Sequence, residues 1–286
     1  MKVENICVTG FKASLRGMRN PKDSWDRSDT IHWNNIHYLS EDHLKRVNYY
    51  QLDKLYDYAT KKDGYLYYKP MHYTSEHALL YNPVTQSYYF SSKDINDNPI
   101  EYVVETDKVC LIGPNDMKLC KNLLRGGPVH AKFDRYIIVT MDITASFDFW
   151  KEYDTYKVAT VANSCSTMHT ITKYDLTIDN YSTSDLTEQD IEHIKSDIAY
   201  MNFIINDDTV SDLEKTRRLS KLNLLAFEQK RTVQFDYRVM SEMFKWRTTH
   251  KLKEWRWLTN NVFKFLPYFE EFYIQTKENK ETKENA

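Results

Sequence analysis

Residues 136–143 read YIIVTMDI, and this stretch sets the class of the fold. Ile137, Val139, Met141 and Ile143 alternate with Tyr136, Ile138, Thr140 and Asp142, a period of two that predicts a strand with one apolar face. Upstream, Ile112-Gly113-Pro114-Asn115 leads into a predicted helix capped by Asn115. Met117, Leu119, Leu123 and Leu124 point inward, and Gly126-Gly127 is the stop. Downstream, Ile191, Ile194, Ile198, Met201 and Ile205 recur at helical spacing behind the capping pair Thr187 and Asp190. A second helix is predicted from Ser211, using Leu213, Leu219, Leu222, Leu225 and Ala226, and a third over 233–246. Pro267 interrupts the last apolar stretch, 262–273. Strands followed by helices predict an α+β protein with a helical C-terminal half.

Nearer the N-terminus, Val3, Ile6 and Val8 predict a strand over 2–9 that Gly10 closes. Residues 15–30, LRGMRNPKDSWDRSDT, show neither period. They read as a surface loop or as a basic loop folding over an anionic ligand. Ser40 opens a capped amphipathic helix that Leu44, Val47, Leu52, Leu55 and Ala59 carry to Gly64. Aromatic-rich runs at 65–68, 78–81 and 87–90 predict short strands and a hairpin, and KDINDNP at 93–99 predicts a loop. The tail 276–286, TKENKETKENA, has nothing to bury and is predicted to be disordered. The expected organisation is an N-terminal extension or insertion of strands and one helix over 1–100, a core over 101–275, and that tail.

The 39 basic and 41 acidic residues leave a formal charge of −2, so no global field draws the chain to nucleic acid or an anionic membrane. No run approaches the roughly 20 apolar residues of a membrane span. MKVENICVTGFK lacks the apolar core of a signal peptide, so the expectation is a cytoplasmic protein. Cys7, Cys110, Cys120 and Cys165 form no Cys-x-x-Cys pair, which argues for packed thiols and against a structural metal site.

Three segments follow one another in a distinctive order: Gly126-Gly127-Pro128-Val129-His130 after a helix, the long strand, and YDTYKVATVANSCSTMH at 153–169. This order resembles the core of flavin-dependent thymidylate synthases. There a helix ends in a glycine-histidine turn, a strand follows, and a helix and loop bear Arg-His-Arg-x-x-Ser-x-Asn-Glu-x-Ser-x-Arg. Asn163 and Ser166 match that signature, and Ser164 stands at its glutamate. With one residue inserted, Thr155-Tyr156-Lys157 occupy the Arg-His-Arg block, which leaves Lys157 as its one cation and Thr160 at the first serine. Met168 stands where the last arginine is expected. FKWRTTHKLKEW at 244–255 resembles the family's late helix, with Arg247 at its arginine. The resemblance spans about residues 112–272.

The resemblance, to a divergent phage-type member, implies an antiparallel sheet packed with long helices. It also implies a flavin-dependent thymidylate synthase-like enzyme acting on a pyrimidine deoxynucleotide such as dUMP, assembled as a homotetramer. FAD is the implied cofactor, with folate and NADPH implied alongside it. His130, Lys157 and Asn163 would hold the cofactor, and Ser164, Ser166 and Arg247 the substrate, with no catalytic residue assigned. Arg16 and Arg19 are candidates for the charges the signature lacks. A plainer reading stays open: Ser164, Ser166 and Thr167 can cap a helix, His130 can cap carbonyls, and 244–255 can be a solvated basic helix face. The alternative function is a non-catalytic nucleotide-binding or partner-binding phage or mobile-element protein on the same fold.

Overall fold

The structure, a computed structural model, describes residues 1–33, 61–62, 65–67, 80–82, 87–106 and 109–274. The helix expected from Ser40 and the tail 276–286 lie outside the described residues.

The predicted central strand is β9, Ile138–Ser146, and its alternation is obeyed: Val139, Met141, Ile143 and Ala145 are buried while the residues between them are partly exposed. β9 lies between β1 (Lys2–Thr9) and β11 (Glu228–Asp236), antiparallel to both. β10 (Thr160–Ser164) forms one edge, antiparallel to β11. On the other side β1 pairs in parallel with β7 (Pro99–Thr106). From β7 the sheet continues antiparallel through β6 (Ser87–Lys93), β5 (Leu80–Asn82), β4 (Tyr65–Tyr67) and β3 (Lys61–Lys62). The order across the nine described strands is β10-β11-β9-β1-β7-β6-β5-β4-β3. β2 (Ile31–Trp33) and β8 (Val109–Leu111) make a separate small antiparallel sheet. β1 therefore belongs to the same sheet as β9, and that sheet runs across the division expected at residue 100.

Val3, Ile6 and Val8 of β1 and Val233 and Phe235 of β11 share the buried face with β9. Five helices enter that core: α1 (Phe11–Arg19), α2 (Pro114–Arg125), α3 (Phe147–Tyr153), α7 (Tyr237–Arg247) and α8 (Lys253–Asn261), whereas α4 (Thr167–Thr170) contributes nothing to it. Phe263, Phe265, Phe269 and Phe272 close it from the C-terminal side. The opposite face of the sheet is polar, as an antiparallel sheet with one wet face requires. On it Asp142 accepts from Asn5 Nδ2 at 2.8 Å and from the Thr232 hydroxyl at 2.5 Å, with Lys230 3.6 Å away. A smaller core joins α5 (Glu188–Ile205) and α6 (Asp212–Leu222) around Ile194, Ile198, Met201, Ile204 and Leu219.

Several expectations are corrected. Residues 15–19 are helical, because α1 begins at Phe11 and buries Phe11, Leu15 and Met18 at i, i+4 and i+7. A window opened at residue 15 cuts this period in half. Arg19 is buried and donates through Nε to Asp116 at 2.6 Å, and Ser28 and Thr30 donate to the other oxygen of Asp116. Arg16 lies over the Trp25 ring at 5.0 Å. The 20–30 segment is thus fastened to α2, and Arg19 is engaged in the interior.

The cap of α2 is also supplied from this segment. Asp29 accepts from the backbone N–H groups of Asn115 and Asp116 at 2.8 and 3.0 Å, so Asn115 is capped rather than capping. The helix expected over 233–246 begins only at Tyr237, and its first residues are the end of β11. Asp236 marks the change, accepting from Val239 N at 2.8 Å as N-cap. Of the leucines expected to pack α6, Leu219 is buried while Leu213 and Leu222 face outward, and Leu225 and Ala226 lie beyond its end. The Thr187–Asp190 capping box of α5 forms as expected.

Candidate functional site

α3 follows directly from β9. Ser146 caps it, its hydroxyl accepting from Phe149 N at 3.1 Å, and the buried Glu254 of α8 accepts from Ser146 N at 3.1 Å and from the Ser146 hydroxyl. Burial pushes the Glu254 carboxyl upward, against the pull of its two bonds from Ser146. This joint locks α3 to α8. It places Phe149, Trp150 and Tyr153 in the core beside Trp255, with Tyr153 and Trp255 nearly parallel at 11° and 6.4 Å between ring centres.

Two arginines lie on this aromatic row. Arg231 of β11 sits over the Trp150 ring at 4.3 Å, donates through Nε to Gln229 at 2.9 Å, and pairs through Nη1 with Asp154 at 2.9 Å. Arg247 of α7 sits over Trp255 at 5.1 Å and Tyr156 at 5.4 Å. It donates through Nε to the Tyr156 hydroxyl at 2.9 Å and pairs through Nη1 with Glu152 at 2.8 Å. The arginine side chains are 15% and 13% exposed, whereas their acids Asp154 and Glu152 are 56% and 42% exposed. The guanidinium groups are therefore held by the fold, and the carboxylates stand at the surface where they can turn away.

Exposed ion pairs of this kind contribute roughly 0.2–1 kcal/mol. Each cation–ring contact adds roughly 0.5–1 kcal/mol. An incoming phosphate, with more acceptor oxygens and more charge, competes well against either acid. His250 stands beside Arg247 and Glu152, and burial together with Arg247 lowers its pKa below the usual imidazole value. Its Nδ1 accepts from Leu252 N at 3.3 Å, so the ring is read as neutral with its proton on Nε2.

The residues singled out in the sequence are only partly brought together. Lys157 is exposed at the start of the turn into β10, with no ion pair or side-chain hydrogen bond among the described residues. It follows Tyr156, whose hydroxyl accepts from Arg247 Nε. Ser164 pairs across to Arg231 in the register of β10 and β11, and lies on the same face as Thr160 and Ala162. Asn163 pairs across to Thr232 and so projects to the polar opposite face. Ser166 lies past the far end of β10, on a loop where Gln229 Nε2 donates to Cys165 O at 2.8 Å. Thr160 and Ser164 are already roughly 13 Å apart at strand rise. His130 sits on a different turn, after α2, with its ring folded back over Gly126. Met168, in the position expected for an arginine, is 54% exposed. Cys165, expected to be packed, is exposed, because it sits at the end of an edge strand.

Sequence reasoning missed Arg231, Trp150, Glu152, Tyr153, Trp255 and His250. Arg231 was findable only by recognising β11, since Val233 and Phe235 alternate and put Arg231 on the same face. Among the described residues no three His, Cys, Asp or Glu side chains group as metal ligands. No described helix is long and apolar enough to cross a membrane.

No protein-family model matches the sequence, and no curated protein matches it. The solved structures similar to it include two of a Helicobacter pylori flavin-dependent thymidylate synthase with FAD and dUMP. Each matches with a TM-score of 0.49 and 13% sequence identity, over 57% of this chain and 84% of that chain.

Proposed function

We propose that this protein binds a phosphorylated pyrimidine deoxynucleotide such as dUMP on the shelf between α3, β10 and α7, as a thymidylate synthase-like nucleotide-binding protein. The observation that carries the reading is the pair of arginines, Arg231 and Arg247, seated on one row of aromatic rings and ion-paired, among the described residues, only with exposed carboxylates, while Lys157 follows Tyr156, whose hydroxyl accepts from Arg247. Planar guanidinium forks suit a phosphate, and a lysine adds a point charge. Ser164 supplies a hydroxyl on the same face as Arg231.

The enzymatic form of this reading takes FAD, which when bound would supply the redox chemistry of methyl transfer. The residues proposed for FAD sit on separate elements of the chain. His130 is on the turn after α2, Lys157 precedes β10, and Asn163 faces the polar side of the sheet. Flavin binding therefore calls for a homo-oligomer, the tetramer of the sequence resemblance, in which a second copy brings further groups to the open edge of β10. The non-catalytic reading is favoured by the engagement of Arg247 with Glu152 and by Met168 at the arginine position.

The test is a visible spectrum of the purified protein followed by calorimetric titration with dUMP and with FAD. Binding of dUMP that Arg231→Ala and Lys157→Ala each weaken about tenfold, the scale of one lost charged contact, is expected. Yellow protein or saturable FAD uptake selects the enzyme, and dUMP binding without flavin selects the non-catalytic protein. Failure to take up either ligand at high micromolar concentration, in the wild type and in Glu152→Gln alike, overturns the proposal.

A further inference from the structure

Two buried polar atoms in the aromatic row have no hydrogen-bond partner among the described residues: the Tyr153 hydroxyl and the Trp255 indole N–H. Tyr153 is 2% exposed and Trp255 is not exposed at all. Buried donors are almost always paired, by protein or by an ordered guest, so two orphans in neighbouring rings call for an explanation. The Trp255 ring lies under Arg247, and Tyr153 stacks beside Trp255. Arg247 is in turn tethered at the surface by Glu152, which belongs to the same helix as Tyr153.

We propose that the Arg247–Glu152 pair is the closed state of a lid over a slot lined by Tyr153, Tyr156 and Trp255, and that this slot takes the pyrimidine-dione ring of a nucleotide when Arg247 turns to its phosphate. The inference rests on the nucleotide-binding reading above and says how the site opens. The ring chemistry fits the orphans. An indole N–H can only donate and so meets a ring carbonyl, while a tyrosine hydroxyl can donate to a second carbonyl or accept from the ring N–H between them. The flat aromatic walls favour a planar guest. Arg247 donates to Tyr156, the residue before Lys157, so the movement that uncovers the slot would also free a guanidinium to share the phosphate with that lysine. In the closed state both terms oppose binding, and the apparent affinity is reduced by the fraction of chains that are closed.

The test uses the full chain with dUMP and, as a probe lacking the base, 2-deoxyribose 5-phosphate. Glu152→Gln removes the tether, and is expected to tighten both ligands by about two- to fivefold. Tyr153→Phe and Trp255→Phe are expected to weaken dUMP by about tenfold and to leave deoxyribose 5-phosphate unchanged. In protein labelled with ¹⁵N-tryptophan, dUMP is expected to move the Trp255 indole resonance, identified by its loss in Trp255→Phe. Tyr153→Phe deletes one oxygen and keeps the packing, so the test survives if Trp255→Phe does not fold.

Unchanged or weaker dUMP binding in Glu152→Gln overturns the lid. An unmoved Trp255 resonance in dUMP-saturated protein overturns the slot while leaving nucleotide binding intact. Equal loss of both ligands in Tyr153→Phe shows a structural role and also overturns the slot. No binding of either ligand by the wild type or by Glu152→Gln overturns this proposal and the nucleotide reading together, whereas binding that appears only in Glu152→Gln supports the lid.

Discussion

Asp134 is a buried acid, and its ionisation couples stability to pH. The side chain is fully buried, with one oxygen accepting from the Tyr273 hydroxyl at 3.0 Å, Arg238 at 3.8 Å, and the other oxygen without a hydrogen-bond partner among the described residues. Burial pushes its pKa up to about 6 from the ordinary 3.8, against the pull of Tyr273 and Arg238, while the neighbouring Asp236 adds to the rise. A folded-state pKa above the unfolded one favours the protonated form in the fold. Its contribution is therefore complete below about pH 4 and is lost as pH rises through 6. Asp134→Asn should remove on the order of 2–3 kcal/mol of this loss. The expected result is a melting temperature that falls less between pH 5 and pH 7.5 in the variant than in the wild type. An identical fall in both would refute the assignment. Glu271, which burial pushes up to about 7, shifts stability in the same direction and stays in both proteins, so the difference between them isolates Asp134.

At the scale of elements, the joins decide more than the elements themselves. Gly10 turns the chain from β1 into α1 at φ 93, and a Cβ there would lie 1.9 Å from the Tyr136 carbonyl oxygen. Both the left-handed backbone and the close approach require glycine. Gly10→Ala should cost at least about 2 kcal/mol, read as a lower urea midpoint with an unchanged slope. A change below about 0.5 kcal/mol would mean that the turn relaxes freely. The joint between Ser146 and Glu254 has the same character: neither α3 nor α8 specifies the aromatic row, and their connection aligns Tyr153 with Trp255.

On the scale of the whole molecule, the sheet ends on β10, whose outer edge is unpaired among the described strands and whose residues Val161, Ala162, Asn163 and Ser164 are exposed. Exposed edges are commonly covered or blocked. The proposed homo-oligomer makes use of this one, and Ala162→Pro, which denies the edge a regular strand, should shift the protein toward monomer in light scattering. A wild type that is monomeric at every accessible concentration would exclude this assembly and with it a flavin site shared between copies.

What residues 136–143, the isoleucines of α5 and the Thr187–Asp190 box announced in the sequence came through, because local period and capping need no distant partner. The α+β class followed from them. β11 was hidden because Val233, Phe235 and Tyr237 suit a strand and a helix alike, and only pairing with β9 on one side and β10 on the other chooses the strand. The candidate site was legible only in fragments for the same reason. Lys157, Ser164 and Arg247 could be named by position, but Arg231 sits 67 residues beyond Ser164 and becomes its neighbour only through strand register. Sequence alone determined which residues could carry charge and which segments could bury a face. Tertiary structure decided which charges are held on aromatic rings and which are engaged inside the protein, because those outcomes depend on contacts between elements far apart in the chain.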